Sequence, residues 1–305
     1  MPRVTCIMTS YNTERFISEA IKSVLKQTYV DFELIIYDDG STDNTYNIAK
    51  EFEEKDSRIK VFKNDKNLGI AATANRALDH ATGEFITFCD SDDIRRRDSL
   101  HVFVNYLDDN YYVDIVSSYL MKIDENGKIL EKGSMLPLDY ERIRCAMLFG
   151  CPLHNCCCMI RRKVFDSYRY DENYPLAQDY KMFADIMDYV YMTNIKQPLV
   201  NYRVYNRSMS KYKKETELAI KVRISILERI CPHLDYESRY RLAEILRTRI
   251  ILTTEDRQLL DDFIDFNNKN KIYNPEIFTS LFTITKPILA PSNKRRKLNG
   301  KRQDI

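Results

Sequence analysis

The 305-residue sequence has few glycines and no long uninterrupted apolar segment. Its seven glycines form no G-x-G-x-x-G turn, so a nucleotide-dependent dehydrogenase is excluded. No run approaches the roughly 18–20 apolar residues that a membrane-spanning helix needs. The first residues show no basic-then-apolar leader that ends in small residues, and we therefore expect a cytoplasmic protein.

The charges and the cysteines exclude further classes of protein. Lys and Arg number 47 and Asp and Glu number 45, so no overall positive charge indicates a nucleic acid partner. The eight cysteines lack the paired C-x-x-C spacing of a zinc site. Residues 156–158 are three cysteines in an apolar run, which we interpret as a buried strand of a reduced protein.

The first 95 residues alternate short apolar segments with amphipathic ones. The strand-like segments are residues 4–8, 33–37, 59–62 and 85–88. Helical patterns separate them, the first capped by Asn12 or Thr13 and the second beginning at Thr42 or Asp43. Strands that are apolar on both faces and separated by helices predict an α/β fold, with a Rossmann-like, mostly parallel sheet flanked by helices. Ligands bind such sheets beyond the carboxyl ends of the strands.

The rest of the chain divides into a mixed part and a helical part. Asn126-Gly127 between two apolar stretches predicts a β-hairpin, and residues 156–160 and 198–202 are strand-like. From about Glu215 onward the apolar pattern is helical. We predict a domain over residues 1–210 that divides at residue 95, a helical C-terminal region over 211–290, and a basic, disordered tail over 291–305.

Acidic residues follow two of the predicted strands, at the points where the strands end. Asp38 and Asp39 follow the second strand, and Asp90, Asp92 and Asp93 follow the fourth. At one edge of a sheet these carboxylates would repel one another without a cation or hydrogen-bond donors. An Asp-x-Asp pair suits Mg²⁺ or Mn²⁺, which also take phosphate oxygens. Taken singly, each cluster also fits a capped turn or a solvated acidic loop.

Five separated motifs make the sequence resemble the family 2 glycosyltransferases, which have the GT-A fold. In order they are residues 4–12 (VTCIMTSYN), 23–28 (SVLKQT), 38–43 (DDGSTD), 67–69 with 74–75 (NLG and AN), and 90–93 (DSDD). The resemblance covers about residues 2–210. It implies an inverting, metal-dependent enzyme that moves a sugar from a nucleoside diphosphate, with UDP favoured, to a hydroxyl of a saccharide or a lipid-linked acceptor in polysaccharide or glycoconjugate synthesis.

The resemblance also implies roles for particular residues. Those expected to bind the nucleotide are Thr9, Tyr11, Asp39, Asn67 and Asp90. Asp39 would accept the imide N–H of uracil, which favours a UDP donor. The divalent metal, Mn²⁺ or Mg²⁺, is expected on Asp92, with Asp93 as the next choice, because family members differ at this point.

The resemblance places the catalytic base at Asp179, where a carboxylate would take the proton from the acceptor hydroxyl. Family members usually have Glu-Asp there, whereas this chain has Gln178 before Asp179, and a helix-capping Asp is the structural alternative. His154 and Arg203 are expected near the acceptor or the diphosphate, although a lone His is more often structural. Tyr205 stands where many family members have His, which would remove one contact with the diphosphate or the metal.

Two other functions are compatible with parts of the sequence. A nucleotidyltransferase would also use an acidic edge and a metal, but it usually has a Gly-rich, basic loop where this chain has residues 9–12. A sugar-nucleotide-binding protein without catalysis would explain Gln178 and Tyr205, whereas Asp179 argues against it. The basic tail, with apolar pairs at 281–282 and 288–289, suits either a solvated segment or peripheral association with the inner face of a membrane.

Overall fold

The computed structural model describes residues 1–132, 136–205, 212–251, 253–283 and 288–289, so the predicted basic tail lies outside the described residues. The first elements are β1 (Val4–Ser10), α1 (Ile17–Leu25), β2 (Phe32–Asp38), α2 (Thr45–Glu53), β3 (Ile59–Lys63), α3 (Ile70–Leu78), β4 (Phe85–Phe88), β5 (Ile94–Arg95), α4 (Ser99–Asp109), β6 (Ile115–Ile123) and β7 (Ile129–Lys132). The next are α5 (Tyr140–Ala146), β8 (Cys158–Arg161), α6 (Arg162–Ser167), α7 (Gln178–Ile186), β9 (Met192–Arg203), α8 (Tyr212–Ile230), α9 (Tyr236–Thr248), β10 (Ile250–Ile251), α10 (Thr254–Asn270), α11 (Pro275–Thr283) and β11 (Ile288–Leu289).

A nine-stranded sheet has the strand order β3-β2-β1-β4-β8-β6-β9-β5, with β7 paired to β6. The four predicted strands of the first half are β1 to β4 and run parallel, as expected. Beyond β4 the sheet becomes mixed, because β8 is antiparallel to both β4 and β6, while β6 and β9 are parallel. The predicted hairpin is β6 and β7, with Gly127 at a φ of +83° in its turn.

Alternate residues of the central strands face two different cores, which explains their unbroken apolar sequence. On β1, Cys6 and Met8 pack with α1, α2 and α4, whereas Ile7 packs with α3 and α7 on the other face. The second of these cores continues into the C-terminal helices through residues such as Leu227 and Phe278. The predicted helical region is therefore present and packs against the sheet domain. Within the described residues, no helix is both long and apolar enough to cross a membrane.

Three local predictions were wrong in detail. The second helix begins at Thr45, not at Thr42 or Asp43, and Asp43 Oδ1 accepts from Thr45 N (3.0 Å) ahead of it. The first helix begins at Ile17, not after a cap at Asn12 or Thr13, because Asn12 has a left-handed φ of +52° and the carbonyl of Thr13 closes a turn with Phe16. The strand predicted at 156–160 begins only at Cys158, since residues 155–157 form a 3₁₀ turn. All eight cysteines are free, in agreement with a reduced protein.

A buried carboxylate on β2 connects the parallel strands at the end of the sheet remote from their carboxyl ends. Glu33 Oε1 accepts hydrogen bonds from Thr5 Oγ1 (2.8 Å), Thr82 N (3.0 Å) and Thr82 Oγ1 (2.6 Å), and Oε2 accepts one from Lys60 Nζ (3.0 Å). Burial raises the pKa of Glu33, but the bonds from Thr82, Lys60 and Thr5 outweigh it and leave the pKa below its usual value. The ionised carboxylate therefore stabilises the fold.

We expect Glu33→Gln to lower the free energy of unfolding by about 1–3 kcal/mol at pH 7, because an amide cannot accept all four bonds. Since the pKa of Glu33 is lower in the folded than in the unfolded protein, its contribution is present above the unfolded pKa and is lost as the pH falls through the folded pKa. Urea unfolding followed by circular dichroism should show the two proteins converging below about pH 4.

The control is Glu84→Gln, at a carboxylate half exposed beside Arg3, which should cost less than about 1 kcal/mol. A difference between Glu33→Gln and wild type that stays constant from pH 7 to pH 3 would contradict the role given to the ionised form.

Candidate functional site

A cleft of about 540 Å³ lies beyond the carboxyl ends of β1, β2 and β4. The five residues predicted to bind a nucleotide, Thr9, Tyr11, Asp39, Asn67 and Asp90, all line it. Thr9 lies near the end of β1, whereas the others come from the loops that follow β1, β2 and β4 and from the segment that precedes α3. Asp92 also lines the cleft, so polar and acidic groups predicted from separate motifs meet at one edge of the sheet.

Asp39 is held rigidly in the wall of the cleft. Its Oδ1 accepts hydrogen bonds from Asn64 Nδ2 (2.9 Å) and from the main-chain N–H of Leu68 (2.8 Å), and its Oδ2 accepts one from Gly69 N (2.9 Å). A carboxylate has about four acceptor positions, so Oδ2 retains one. The arrangement presents a fixed acceptor to an N–H group in the cleft, although the residue itself is only 4% exposed.

Gly40 allows the loop that carries Asp39 to approach the segment that donates to it. Gly40 has a left-handed φ of +73°, and a Cβ built on it would lie 2.6 Å from the carbonyl carbon of Lys66 and 2.8 Å from Asn67 N. Only glycine fits both the conformation and the space. The spacing between the two loops, and with it the position of Asp39, depends on this residue.

The acidic residues after β4 point in different directions. Asp92 lies in the cleft, where its Oδ2 accepts a hydrogen bond from the hydroxyl of Tyr205 (2.7 Å). Asp93 is 5% exposed and lies beneath the cleft, with Oδ1 accepting from Arg203 N (2.7 Å). Sequence reasoning treated Tyr205 as the loss of a contact, whereas the structure gives this side chain a direct contact with the acidic motif.

Arg203 does not reach into the cleft as a diphosphate contact. Its side chain is 1% exposed and donates to main-chain carbonyls of Asp92 (2.7 Å) and Glu125 (2.9 Å) and to Glu19 Oε2 (2.6 Å). These bonds join the acidic loop to the β6–β7 turn and to α1. In this structure Arg203 supports the acidic loop from behind.

The electrostatics of the acidic loop fit a bound divalent cation. Burial, followed by the charge of Asp92, raises the pKa of Asp90 to about 7, and burial with the charges of Asp90 and Asp92 raises the pKa of Asp93. A cation would offset this repulsion. Carboxylate oxygens of Asp90 and Asp93 and the sulfur of Cys156 lie within 4.8 Å of one another, but hard ions such as Mg²⁺ and Mn²⁺ select oxygen over thiol ligands.

Asp179 occupies the first turn of α7, next to the cleft. Its Oδ1 accepts from Tyr180 N (2.7 Å), and a carboxylate in this position interacts favourably with the helix dipole. Its neighbour Gln178 lines the cleft. After burial and nearer charges, the charge of Asp179 also contributes to the raised pKa of Asp90, so the structure brings the predicted base close to the acidic loop.

His154 stands apart from these groups. It precedes the 3₁₀ turn and accepts there with its main-chain carbonyl from Cys157 N (2.8 Å). Burial, and then the charge of Lys122, lower the pKa of His154, which favours the neutral imidazole at neutral pH. His154 is not among the residues that line the described cleft.

Sequence reasoning missed Asn64, which donates to Asp39 and also to Thr73 Oγ1 (2.9 Å). The signal was available, because Asn64 directly follows β3 and therefore lies at the same edge of the sheet as the two acidic clusters. Arg76 Nη1 donates to Asn64 Oδ1 (2.7 Å) and fixes the orientation of the amide. Asn64 thus positions the carboxylate that faces the cleft.

Comparisons with known proteins agree with this geometry. The family model described as Glycosyl transferase family 2 matches residues 5–169, more than half of the chain. A protein of Haemophilus influenzae described as an uncharacterized glycosyltransferase is 34% identical over 233 residues, which are 73% of this chain and 72% of that protein. The Escherichia coli UDP-Glc:alpha-D-GlcNAc-diphosphoundecaprenol beta-1,3-glucosyltransferase WfgD is 43% identical over 129 residues, 42% of this chain and 49% of WfgD.

Solved structures show the same fold. Residues 1–349 of TarS from S. aureus, in complex with UDP-GlcNAc, superpose with a TM-score of 0.62 at 19% identity, covering 87% of this chain and 81% of that one. The mannosyltransferase PcManGT from Pyrobaculum calidifontis, in complex with GDP-Man and Mn²⁺, gives a TM-score of 0.58 at 20% identity, covering 93% and 84%. At these identities the likeness establishes the GT-A-like architecture alone.

We expect Gly40→Ala to weaken binding of UDP, the nucleotide predicted from sequence, by about tenfold or more. The added Cβ would push the loops around Asp39 apart, and the left-handed conformation adds strain of about 1–3 kcal/mol. Isothermal titration calorimetry measures the change.

The matched control is Gly127→Ala, which carries the same φ penalty at +83° but has no neighbouring atom within 4 Å of the added Cβ. Equal losses of UDP affinity in the two variants would show that the approach of the loops at Gly40 has no part in nucleotide binding.

Proposed function

Because the chain belongs to glycosyl transferase family 2 and is therefore a transferase, we propose that it moves a sugar from a UDP-sugar to a hydroxyl acceptor with inversion at the anomeric carbon. The observation that carries the proposal is the shared cleft, which is lined by the fixed acceptor Asp39 and by the acidic pair Asp90 and Asp92 and lies beside the helix that carries Asp179. The nucleobase of a nucleoside diphosphate would match Asp39, and its diphosphate would match Asp90 and Asp92. Asp179 would then accept the proton in the transfer.

The donor base would be recognised at Asp39. The remaining acceptor position on Asp39 Oδ2 suits the imide N–H of uracil. A nucleobase with an acceptor at that position would be disfavoured, because it would place two hydrogen-bond acceptors against each other. Thr9, Tyr11 and Asn67 line the same part of the cleft and are proposed as further nucleotide contacts. Tyr11 is 45% exposed, which leaves its ring available for contact with a planar base.

The diphosphate would lie at the acidic pair together with a divalent metal. Asp92, with Asp90, offers hard oxygen ligands to Mn²⁺ or Mg²⁺ at the wall of the cleft, and such an ion neutralises a diphosphate leaving group. Tyr205 would orient Asp92 through its 2.7 Å hydrogen bond. Asp93 remains the second choice as a ligand, from beneath the cleft.

Asp179 is proposed as the catalytic base. The acceptor hydroxyl would give its proton to the Asp179 carboxylate as its oxygen forms a bond to the anomeric carbon and the bond from that carbon to the diphosphate oxygen breaks. One direct displacement inverts the configuration. The main-chain N–H of Tyr180 donates to one carboxylate oxygen of Asp179 and fixes the carboxylate at the start of α7.

The acceptor is proposed to be a saccharide, free or carried on a lipid diphosphate. The named activity of WfgD, a relative over part of the chain, is transfer of glucose to a sugar on diphosphoundecaprenol, and this supports a role in polysaccharide or glycolipid synthesis. An acceptor of that kind would bring the enzyme to a membrane surface. His154, outside the donor cleft, stays a prediction as an acceptor contact.

The donor site is tested by titration calorimetry with UDP, GDP and dTDP, each with and without Mn²⁺. We expect UDP to bind most tightly and Mn²⁺ to strengthen its binding by about tenfold, or about 1.4 kcal/mol, because Asp92 holds the metal. Asp92→Ala should lose the Mn²⁺-dependent part, whereas Asp109→Ala, at an exposed carboxylate at the end of α4, should keep it. Preference for GDP, or no effect of Mn²⁺ on any nucleotide, would sink the proposed donor site.

The base is tested by Asp179→Asn, which keeps the size of the side chain but cannot take a proton. We expect turnover of UDP-sugar with an acceptor to fall by about 10²–10⁴-fold while the affinity for UDP is unchanged. The release of UDP gives the rate, and calorimetry gives the affinity.

A wild-type protein that binds UDP but turns over no UDP-sugar with any acceptor would favour the sugar-nucleotide-binding alternative. Release of pyrophosphate from a nucleoside triphosphate and a sugar phosphate would favour a nucleotidyltransferase.

A further inference from the structure

A small cavity of about 10 Å³ lies beneath the acidic loop. Its walls are mostly apolar, from residues such as Met8 and Val200, but Asp90, Asp93 and Arg95 also line it. About 10–15 Å³ is the space that one water molecule needs. The cavity therefore has the size of a single buried water and contains groups of opposite charge.

Within the part of the chain that the structure describes, Asp93 and Arg95 each have a buried polar atom that lacks a hydrogen-bond partner. Asp93 Oδ1 accepts from Arg203 N, whereas Oδ2 accepts from no donor. Arg95 Nη2 donates to Thr87 Oγ1 (3.0 Å), to Phe88 O (2.7 Å) and to Cys156 O (2.9 Å), whereas Nη1 donates to no acceptor. Buried polar groups are rarely left in this state, so each requires a partner.

These two atoms are complementary, since one is an acceptor and the other a donor. Asp93 and Arg95 are each 5% exposed, so bulk water reaches neither. Among the described residues no direct ion pair within 4.0 Å joins the two side chains, and both line the same small cavity. A water molecule both accepts and donates and thereby satisfies both atoms.

We propose that one water molecule occupies this cavity, accepts a hydrogen bond from Arg95 Nη1 and donates one to Asp93 Oδ2, which makes Arg95 a positioning residue for the acidic loop. Arg95 is itself fixed, because Nη2 bonds to β4 and the 3₁₀ turn, and its main-chain N–H donates to Ser23 Oγ on α1 (3.0 Å). The water therefore connects Asp93 to a guanidinium whose position is fixed, and in this way holds the Asp93 side chain in place.

With this water, both oxygens of Asp93 have partners on the side of the loop that faces the protein. Arg203 N holds one and the water holds the other. Asp93 is then the inner anchor of the loop, and the metal of the proposed function is left to Asp92 and Asp90, which face the cleft. This consequence for the metal rests on the proposed function, whereas the water itself does not.

A cation in the same cavity is the competing occupant, because Asp90, Asp93 and Cys156 bring ligand atoms within 4.8 Å of one another. It would satisfy Asp93 but leave Arg95 Nη1 without an acceptor, and it would add a positive charge next to a buried guanidinium. A water satisfies both atoms without an added charge. The observations therefore favour water.

The direct test is a crystal structure of the wild-type protein soaked in Mn²⁺, with anomalous data that distinguish Mn²⁺ from water. We expect a water within hydrogen-bond distance of Asp93 Oδ2 and Arg95 Nη1, and the Mn²⁺ peak in the cleft at Asp92. An empty cavity, a Mn²⁺ peak inside it or a direct Arg95–Asp93 ion pair overturns the proposal.

The functional test compares Arg95→Met with Arg161→Met. Arg161 is also a mostly buried arginine that donates to main-chain carbonyls, of Val113 (2.8 Å) and Leu107 (2.7 Å), but it lies on β8 away from the cleft. The affinity for Mn²⁺, measured by the electron paramagnetic resonance of the free ion, should fall about 10–100-fold in Arg95→Met. In Arg161→Met the affinity for Mn²⁺ should stay within about twofold of the wild-type value, because Arg161 lies away from the residues that would hold the metal.

Equal Mn²⁺ affinities in the two folded variants would contradict the positioning role of Arg95. If Arg95→Met does not fold, the crystal structure of the wild type still decides whether the water is there. A wild-type protein that binds no Mn²⁺ but contains the water would count against the metal in the proposed function and not against the buried water.

Discussion

The acidic loop after β4 depends on one buried arginine, Arg203, which lies far from the loop in the sequence, at the end of β9. Arg203 bonds through its main-chain N–H to Asp93 and through its guanidinium to the carbonyl of Asp92, to the β6–β7 turn and to Glu19. The buried guanidinium of Arg203 forms an ion pair with Glu19, whose side chain is 56% exposed, so its positive charge is compensated. Carboxylates that would otherwise repel one another are thus held by a group 110 residues away in sequence.

Acidic residues that are adjacent in the sequence point to different surroundings in the structure and therefore have different roles. Asp38 is fully buried and accepts from Ser41 N (2.9 Å), so it shapes the turn, while the adjacent Asp39 faces the cleft. In the second cluster Asp92 faces the cleft and Asp93 faces the interior. The end of β2 therefore supplies one carboxylate to the cleft and one to the interior, whereas the end of β4 supplies Asp90 and Asp92 to the cleft and Asp93 to the interior.

Much of the parallel half was predictable, because its signals are local. Apolar segments bounded by helical patterns identified β1 to β4, and the edge where they end followed from their parallel direction. The start of α1 was not predictable from cap residues, since the turn at Asn12 depends on contacts with Ser41 and Thr42 in the next loop. The tasks of Arg203 and Tyr205 depend on contacts with a loop more than 100 residues earlier, which no local pattern contains.

The C-terminal helices share a core with the helix that carries Asp179. Arg223 of α8 lies over the ring of Tyr180 at 5.6 Å, and Arg229 donates to the carbonyl of Ala184 (2.6 Å). The cleft, by contrast, is lined largely by the end of β1, by the loops after β1, β2 and β4 and by the start of α3, whose contacts form between neighbouring segments. During synthesis much of the cleft can therefore assemble while the last helices are still unmade, whereas the packing of α7 is complete only when α8 docks. A growing chain would thus complete most of the cleft before the helix that carries the proposed base reaches its final packing.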